Sequence, residues 1–490
     1  MNWDWLNWIV IFIYFSIILG IGIYFNRKNK NTEDYFRGSG SIPTLVTACS
    51  IYATSLSSLS FIGIPGSVYK NGWIMGMAPL GIILMVIWAA ETFVPFFREL
   101  KVETAYEYLE IRFGKEFRVI GSLSFIIFHI IRIAIILYLP VLALGIVLPS
   151  INPTVLVVLV SSFCIVYTSL GGIKAVVWSD AFQTIVLLLG ASVIIFLGIS
   201  SIPKNVDIVE IFSMKDMIKS PEIFKVSFSG KTLLGMIVGG FLNSIYSYVG
   251  SQDIVQRYAT TESTNEAKKS LYMNIPLLLI SIFIFVGMGS GLYMFFKYSV
   301  TLPQDIVGNA ILPYFVINYI PKGLSGLVIA AIFAATQSTV SSSLNSISVC
   351  ITSDLLKSVT KCRCEKIKLK IAKCMSWAVG ILSSLLALRF LKIGQSDIFL
   401  YFQSITGLLG GPIAGIFLVG IFIKKADRYS AWVGFLVSLL TAFYIGNPMK
   451  IMNIFSWYRE PKVFEFLISL FVIGNCVLSA WIISFMRAKD

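Results

Sequence analysis

Residues 53–66 read ATSLSSLSFIGIPG. Five hydroxyl side chains (Thr54, Ser55, Ser57, Ser58 and Ser60) stand in a stretch whose flanks are apolar enough to lie in a bilayer. Gly63, Pro65 and Gly66 then interrupt the helix that carries them, since proline has no amide donor and glycine weakens a helix. In lipid every backbone polar group must be satisfied within the protein. A broken helix at that depth is tolerated only where it is buried in protein or lines a cavity.

The rest of the chain supplies the membrane. Of its 490 residues 57% are hydrophobic and only 13% charged, with a mean hydropathy of +0.83; soluble domains carry about 25% charged residues. Apolar runs recur along the whole length and are continuous rather than alternating, which excludes a β-barrel. The pattern predicts an all-α integral membrane protein with thirteen helical spans, at 8–25, 42–68, 73–97, 118–147, 153–170, 175–200, 232–251, 272–297, 323–352, 370–389, 397–422, 430–447 and 463–486. MNWDWLNW precedes the first run without a basic segment, so that run reads as a retained helix and not as a signal peptide.

The net charge of +14 does not indicate nucleic acid, because the basic residues fall in short loops on alternate sides of the spans. Arg27, Lys28, Arg98, Arg112, Lys174, Arg257, Lys268, Lys424 and Arg487 belong to the richer side, which the positive-inside rule makes cytoplasmic. The N-terminus is then outside, the C-terminus is cytoplasmic, and a multi-pass location in a cell membrane, here a bacterial inner membrane, is expected. Of seven cysteines, Cys362, Cys364 and Cys374 cluster in a Lys-rich cytoplasmic loop where thiols stay reduced; a metal site there is the minor reading. The single histidine, His129, rules out a His-based zinc or iron centre.

The chain reads as one transporter domain over 1–490. A second hydroxyl-dense crossing, ATQSTVSSSLNSIS (335–348), echoes the first. Spans 42–200 and 232–422 hold five helices each, and an odd number places the halves in opposite orientation, the arithmetic of an inverted repeat. The span at 8–25 precedes the repeats and the two spans in 430–486 follow them.

Ionisable residues inside spans mark functional sites. Arg132, in FHIIRIAIILYL (128–139), admits two readings: a two-pronged grip on an anionic substrate, which is favoured, or a structural pair with a carboxylate on another helix. Asp180 could ligate a cation, carry a proton or pair with Arg132; cation ligation is favoured. Glu91 lies near a span's end and is read as structural. Ser338, Ser341 and Ser342 share one helical face, with Thr339 beside it. Small hydroxyls let helices pack closely, but eight within fourteen residues exceed what packing needs. Sodium is a hard cation that favours oxygen ligands. Helix breaks free carbonyls to serve it, with Ala53 and Leu56 as candidate donors, while Ser57 and Ser60 would face an organic substrate.

These stretches together resemble the sodium:solute symporter family. The likeness rests on DYFRGSG (34–40), the broken span, GGIKAVVWSDAFQ (171–183), SQDIVQRY (251–258), AAIFAATQSTVSSSLNSIS (330–348) and LLGGPIAG (408–415). It implies a LeuT-type 5+5 inverted repeat with one extra N-terminal and two extra C-terminal helices. It also implies a first sodium site on the carbonyls of Ala53, Leu56 and Ala335 with the hydroxyls of Ser338 and Thr339. A second sodium site would use Asp180, Ser338, Ser341 and Ser342, so one or two Na+ would be carried per cycle. Within the family the segments YATSLSSLSFIGIP, YEYLEIRFG and FHIIRIAIILYL look most like those of bacterial sialic acid (N-acetylneuraminate) transporters. Arg132 would there hold the sugar-acid carboxylate, with Ser55, Ser57 and Ser60 in contact. Pro79 stands where a glutamine is expected and Met75 where an aromatic residue is.

The function expected is sodium-coupled import of a small carboxylated solute, sialic acid foremost, by alternating access. The alternative is a sodium symporter for another carboxylate, an amino acid or a sugar; a channel or transporter-like sensor is remote. An enzyme is not indicated, because His129 has no nucleophile–base arrangement around it. The partners expected are the anionic substrate, sodium ions and the bilayer, with no nucleic acid and no obligate protein partner.

Overall fold

A computed structural model describes residues 4–28, 35–36, 38–100, 102–147, 151–200, 224, 226–228, 230–304, 306–356, 365–393, 398–446 and 463–487. Cys362 and Cys364, and with them the Lys-rich loop, lie outside the described residues, as do Asp34 and Arg37 of DYFRGSG; Cys374 is exposed.

Among the described residues the chain is all-helical. Helix α1 (Trp5–Lys28) is followed by α2 (Thr44–Ser55), α3 (Leu59–Asn71), α4 (Trp73–Leu100), the short α5 (Ala105–Phe113) and α6 (Lys115–Val147). Helices α7 (Pro153–Ser169) and α8 (Gly171–Ser200) meet at a kink. Then come α9 (Leu233–Gly250), the short α10 (Gln252–Tyr258), α11 (Thr264–Tyr298), α12 (Ile311–Tyr319), α13 (Leu324–Leu356), α14 (Ile367–Phe390), α15 (Phe399–Phe422), α16 (Arg428–Gly446) and α17 (Glu465–Arg487). Eleven of these are long and apolar enough to cross a membrane, or twelve with the bent pair α2–α3 taken as one span. The run expected at 153–170 forms α7, which is apolar but shorter than each of those eleven spans.

The break at the opening motif has a local cause. Leu56 is extended (φ −97°, ψ 109°), and its N–H makes the last bond of α2, onto Tyr52 O at 2.9 Å. The ladder resumes only when the Ser60 and Phe61 N–H groups reach Ser57 O. Carbonyls at the end of α2 are thereby released from the helix, and α3 leaves at 59° to α2. The glycines and Pro65 lie further along than the bend itself: Gly63 and Pro65 are helical, and Gly66 lets α3 approach Gly308, whose carbonyl oxygen would lie 2.9 Å from a Cβ there.

A second break follows α9, in a stretch whose charges predict a loop: Ser251 is extended (φ −100°, ψ 117°) and the chain then re-forms a helix, α10. Every residue of α10 is buried, Arg257 completely so. Arg257 is therefore not a loop charge that orients the protein. The kink between α7 and α8 falls at Gly172, whose φ of +61° only glycine adopts freely; a Cβ there would meet the Tyr35 ring at 2.6 Å.

Helix α13 is the centre of the bundle, packed along α7 and α8 and against α6 and α1. Its residues from Val328 to Cys350 are all buried. The hydroxyls of 335–348 consequently face protein on every side and none is spent on lipid. At the margin, α1 buries about one residue in five of its apolar stretch, at 22%, leaving the rest for lipid.

Candidate functional site

A cavity of about 130 Å³ lies where the two breaks face each other. Thr54, Ser55, Leu56 and Ser60 line it from the first broken span, and Tyr248 and Asp253 from the second. Arg132 enters from α6, and Phe128, Phe399 and Phe402 give it apolar walls. Of the residues expected to contact substrate, Ser55, Ser60 and Arg132 lie on the lining. Ser57 is buried but does not reach it. Pro79 also lines the cavity, whereas Met75 is wholly buried in the first turn of α4.

Arg132 is held from two sides. One Nη donates to Asp253 Oδ2 at 3.1 Å and the other to Thr54 O at 2.9 Å. The structural pair with a carboxylate on another helix is present, and the residue also lines the cavity. Its Nε–H is buried without a hydrogen-bond partner. A buried donor left unpaired costs about 1–3 kcal/mol, so this edge of the guanidinium is where an acceptor would be stabilised.

Asp180 pairs with Arg257 and not with Arg132. The Arg257 guanidinium donates to Asp180 Oδ2 at 3.0 Å, to Ser342 Oγ at 2.6 Å, to Ser50 Oγ at 2.8 Å, and to Asp253 O. Ser50 Oγ in turn donates to Asp180 Oδ2 at 2.5 Å. The other oxygen, Asp180 Oδ1, has no partner and is buried. Ser338 Oγ, which lies beside the same carboxylate, is likewise unpartnered.

These two orphan oxygens distinguish a site from mere packing. Most hydroxyls on α13 are spent locally: Thr339 donates to Ala335 O at 3.4 Å and Ser341 to Ser338 O at 3.1 Å. Ser342 and Thr54 share a hydrogen bond at 3.0 Å, which ties the end of α2 to α13 and brings the Ala53 and Leu56 segment against the Ala335–Ser342 face. An acidic oxygen and a hydroxyl, both buried and both unpaired, are oxygens of the kind a hard cation prefers. Among the described residues no group of three or more His, Cys, Asp or Glu is placed to hold a metal.

Four participants escaped the sequence reading. Asp253 and Arg257 lie four residues apart on α10, on one helical face, and were hidden because charge next to a span resembles a loop. Asn243 and Gln403, joined at 3.2 Å, add amide groups to the cavity lining; single amides on two distant helices leave no pattern to find. Glu91, read as structural, meets Lys268 at 2.7 Å and Tyr272 at 2.5 Å at an exposed position.

Two interrupted helices facing each other across a buried cavity, with an arginine on its lining and orphan oxygens behind it, define a secondary transporter. Residues 35–438 match the sequence model of the sodium:solute symporter family, and the chain belongs to that family. It is 39% identical over 451 residues to the sodium/sialic acid symporter NanT of Aliivibrio fischeri, covering 90% of this chain and 87% of the relative. It is 40% identical over 446 residues to the sodium/sialic acid symporter SiaT of Proteus mirabilis, covering 90% and 89%. The structure also superposes on a solved Na+-coupled sialic acid symporter, described as substrate-bound, outward-open and containing a novel Na+ site, with a TM-score of 0.88, 36% identity and 98% of each chain covered.

Proposed function

We propose that this protein is a sodium-coupled symporter that imports sialic acid across the cell membrane by alternating access. The observation that carries the proposal is that Arg132, which lines the cavity and keeps an unpaired Nε–H, is joined through Thr54, Ser342 and Arg257 to the carboxylate of Asp180, whose free Oδ1 lies beside the unpaired Ser338 hydroxyl. The sugar-acid carboxylate binds at Arg132, with Ser55 and Ser60 beside it and Ser57 set back from the lining. One sodium binds between the released carbonyls of Ala53 and Leu56 and the Ala335, Ser338 and Thr339 segment. A second binds at Asp180, Ser338, Ser341 and Ser342. Each sodium moving inward gains roughly 2.3 kcal/mol per 100 mV of membrane potential, so a second ion raises the attainable accumulation.

The thirteen-span count treats α7 as a full crossing. With the halves at 42–200 and 232–422 inverted, their first spans correspond, and both are broken at an extended residue of closely similar dihedrals, Leu56 and Ser251. That correspondence supports the 5+5 repeat, with the N-terminus outside, the C-terminus cytoplasmic and the protein in a bacterial inner membrane. A second reading, with a different small carboxylate as cargo, is favoured by Pro79, which places an apolar ring on the cavity where an amide would bind sugar hydroxyls.

Uptake of labelled N-acetylneuraminate into proteoliposomes, with an inward sodium gradient against potassium alone, tests both. Sodium-driven accumulation is expected. Its absence, with uptake of another carboxylate in its place, would transfer the assignment to the second reading.

A further inference from the structure

The two halves of the site share one closed ring of bonds. Arg132 binds Thr54 O, Thr54 Oγ1 meets Ser342 Oγ, Ser342 accepts from Arg257, Arg257 donates to Asp253 O, and the Asp253 carboxylate returns to Arg132. Asp180 hangs on this ring through Arg257. Side chains of Asp180 and Arg257 are 0% exposed, Asp253 1% and Arg132 12%. The ring nitrogens of His129 meet only hydroxyls, Ser343 Oγ at 2.8 Å and Ser251 Oγ at 3.2 Å. The ring therefore carries two formal positive and two formal negative charges, and sums to zero.

We infer that this balanced tetrad of Arg132, Asp253, Arg257 and Asp180 makes a carboxylated substrate and a sodium ion bind as a pair, with Asp253 and Arg257 as the positioning residues that couple them. The inference rests on the substrate reading above. A carboxylate arriving alone at Arg132 leaves the buried cluster at −1, and a sodium arriving alone at Asp180 leaves it at +1. Uncompensated charge in a low-dielectric interior is strongly disfavoured, whereas anion and cation together restore neutrality. Helix α10 is the mechanical part of the same device, since its residues 253 and 257 engage the substrate arginine and the cation-site carboxylate. By linkage the effect is reciprocal, and such couplings amount to about 5–150-fold in affinity.

The test is calorimetric binding of N-acetylneuraminate to the purified protein in sodium and in potassium, reading the ratio of the two dissociation constants. Asp253→Asn leaves the cluster at +1, so anion binding in potassium strengthens and the ratio falls by about tenfold. Arg257→Gln leaves it at −1: sodium binding, followed without sugar acid by intrinsic fluorescence, tightens severalfold. The double variant Asp253→Asn/Arg257→Gln is neutral again and recovers a ratio nearer the wild type than Asp253→Asn shows, which loss of a merely structural contact cannot produce. An unchanged ratio in Asp253→Asn, weaker sodium binding in Arg257→Gln, or no recovery in the double variant overturns the inference. A wild type that binds sodium but no sugar acid in either salt instead sinks the substrate reading and, with it, the anion half of the pair.

Discussion

Arg132 and Asp253 meet at 3.1 Å across the cavity, each brought there by a helix that the other's helix does not continue. The arginine's Nη atoms are engaged by Asp253 and Thr54 while its Nε–H stays unpaired. A lysine at this position keeps the charge but gathers its donors on one compact ammonium and cannot reproduce the planar spread of the arginine's Nη and Nε donors. Arg132→Lys is expected to raise the half-saturating concentration of sialic acid by about 10–100-fold, by the loss of one or two charge-assisted bonds. Arg132→Ala does more damage, since it strands the Asp253 carboxylate, at a cost of about 3–5 kcal/mol in stability. Concentration-dependent uptake by the lysine variant is the cleaner measurement, and an unchanged half-saturation would remove Arg132 from the substrate's path.

Ser338 offers a sharper separation of function from fold. Its hydroxyl is buried with no partner, so Ser338→Ala relieves an unsatisfied group and removes nothing the fold uses. Thermal stability in detergent is expected to hold or to rise by on the order of 1 kcal/mol. The sodium concentration for half-maximal uptake is expected to rise about tenfold, because Ser338 contributes to both proposed cation sites. A loss of stability without a change in sodium dependence would make Ser338 a packing residue.

Much of this candidate site is legible in the sequence, for a physical reason. Lipid penalises hydroxyls, breaks and charges so heavily that each one inside a span has to be explained; Arg132, Asp180 and the two hydroxyl-rich crossings stand out as candidates for this reason. Glycine and proline were correct signals of a break but imprecise about its place, because the bend falls at Leu56, where no residue type announces an extended backbone. The second break had no such punctuation beyond Gly250, and the charges of α10 imitated a cytoplasmic loop. What told them apart is burial, a property of the neighbours: α10 is enclosed by α2, α4 and α13, which lie far away in the chain.

Helices α4 and α9 approach at glycine. A Cβ on Gly81 would stand 1.9 Å from Ile237 O, and one on Gly240 would stand 2.3 Å from Ala78 O. Backbone cannot step aside as a side chain can, so alanine at either position forces the helices apart beside the cavity that Ala78 and Gly240 help to line. The expected cost exceeds the 1–3 kcal/mol typical of overpacking, seen as a lowered thermal midpoint and aggregation on size exclusion. Gly20→Ala, where a Cβ meets nothing within 4 Å, is the control and should behave as wild type. A monodisperse Gly81→Ala protein with an unchanged midpoint would contradict this packing.

Asp354, near the end of α13, gathers three donors, two from α6 and one from the N-cap residue of α5: Arg118 Nε at 2.8 Å, Ser122 Oγ, and Thr104 Oγ1 at 2.7 Å. Arg118 is also bound to Glu110 at 2.5 Å and to Ser353 O at 3.0 Å, so α5, α6 and α13 are joined at one point. Asp354 is not on the cavity lining and belongs to none of the proposed sodium ligands. Asp354→Ala leaves the Arg118 charge short of a partner it meets while buried, and a loss of about 3–5 kcal/mol is expected. Uptake per folded molecule should then show wild-type half-saturation for both sodium and sialic acid. If instead the protein stays as stable as wild type and turnover alone changes, the cluster is not a structural tie but a contact that opens and closes during the transport cycle.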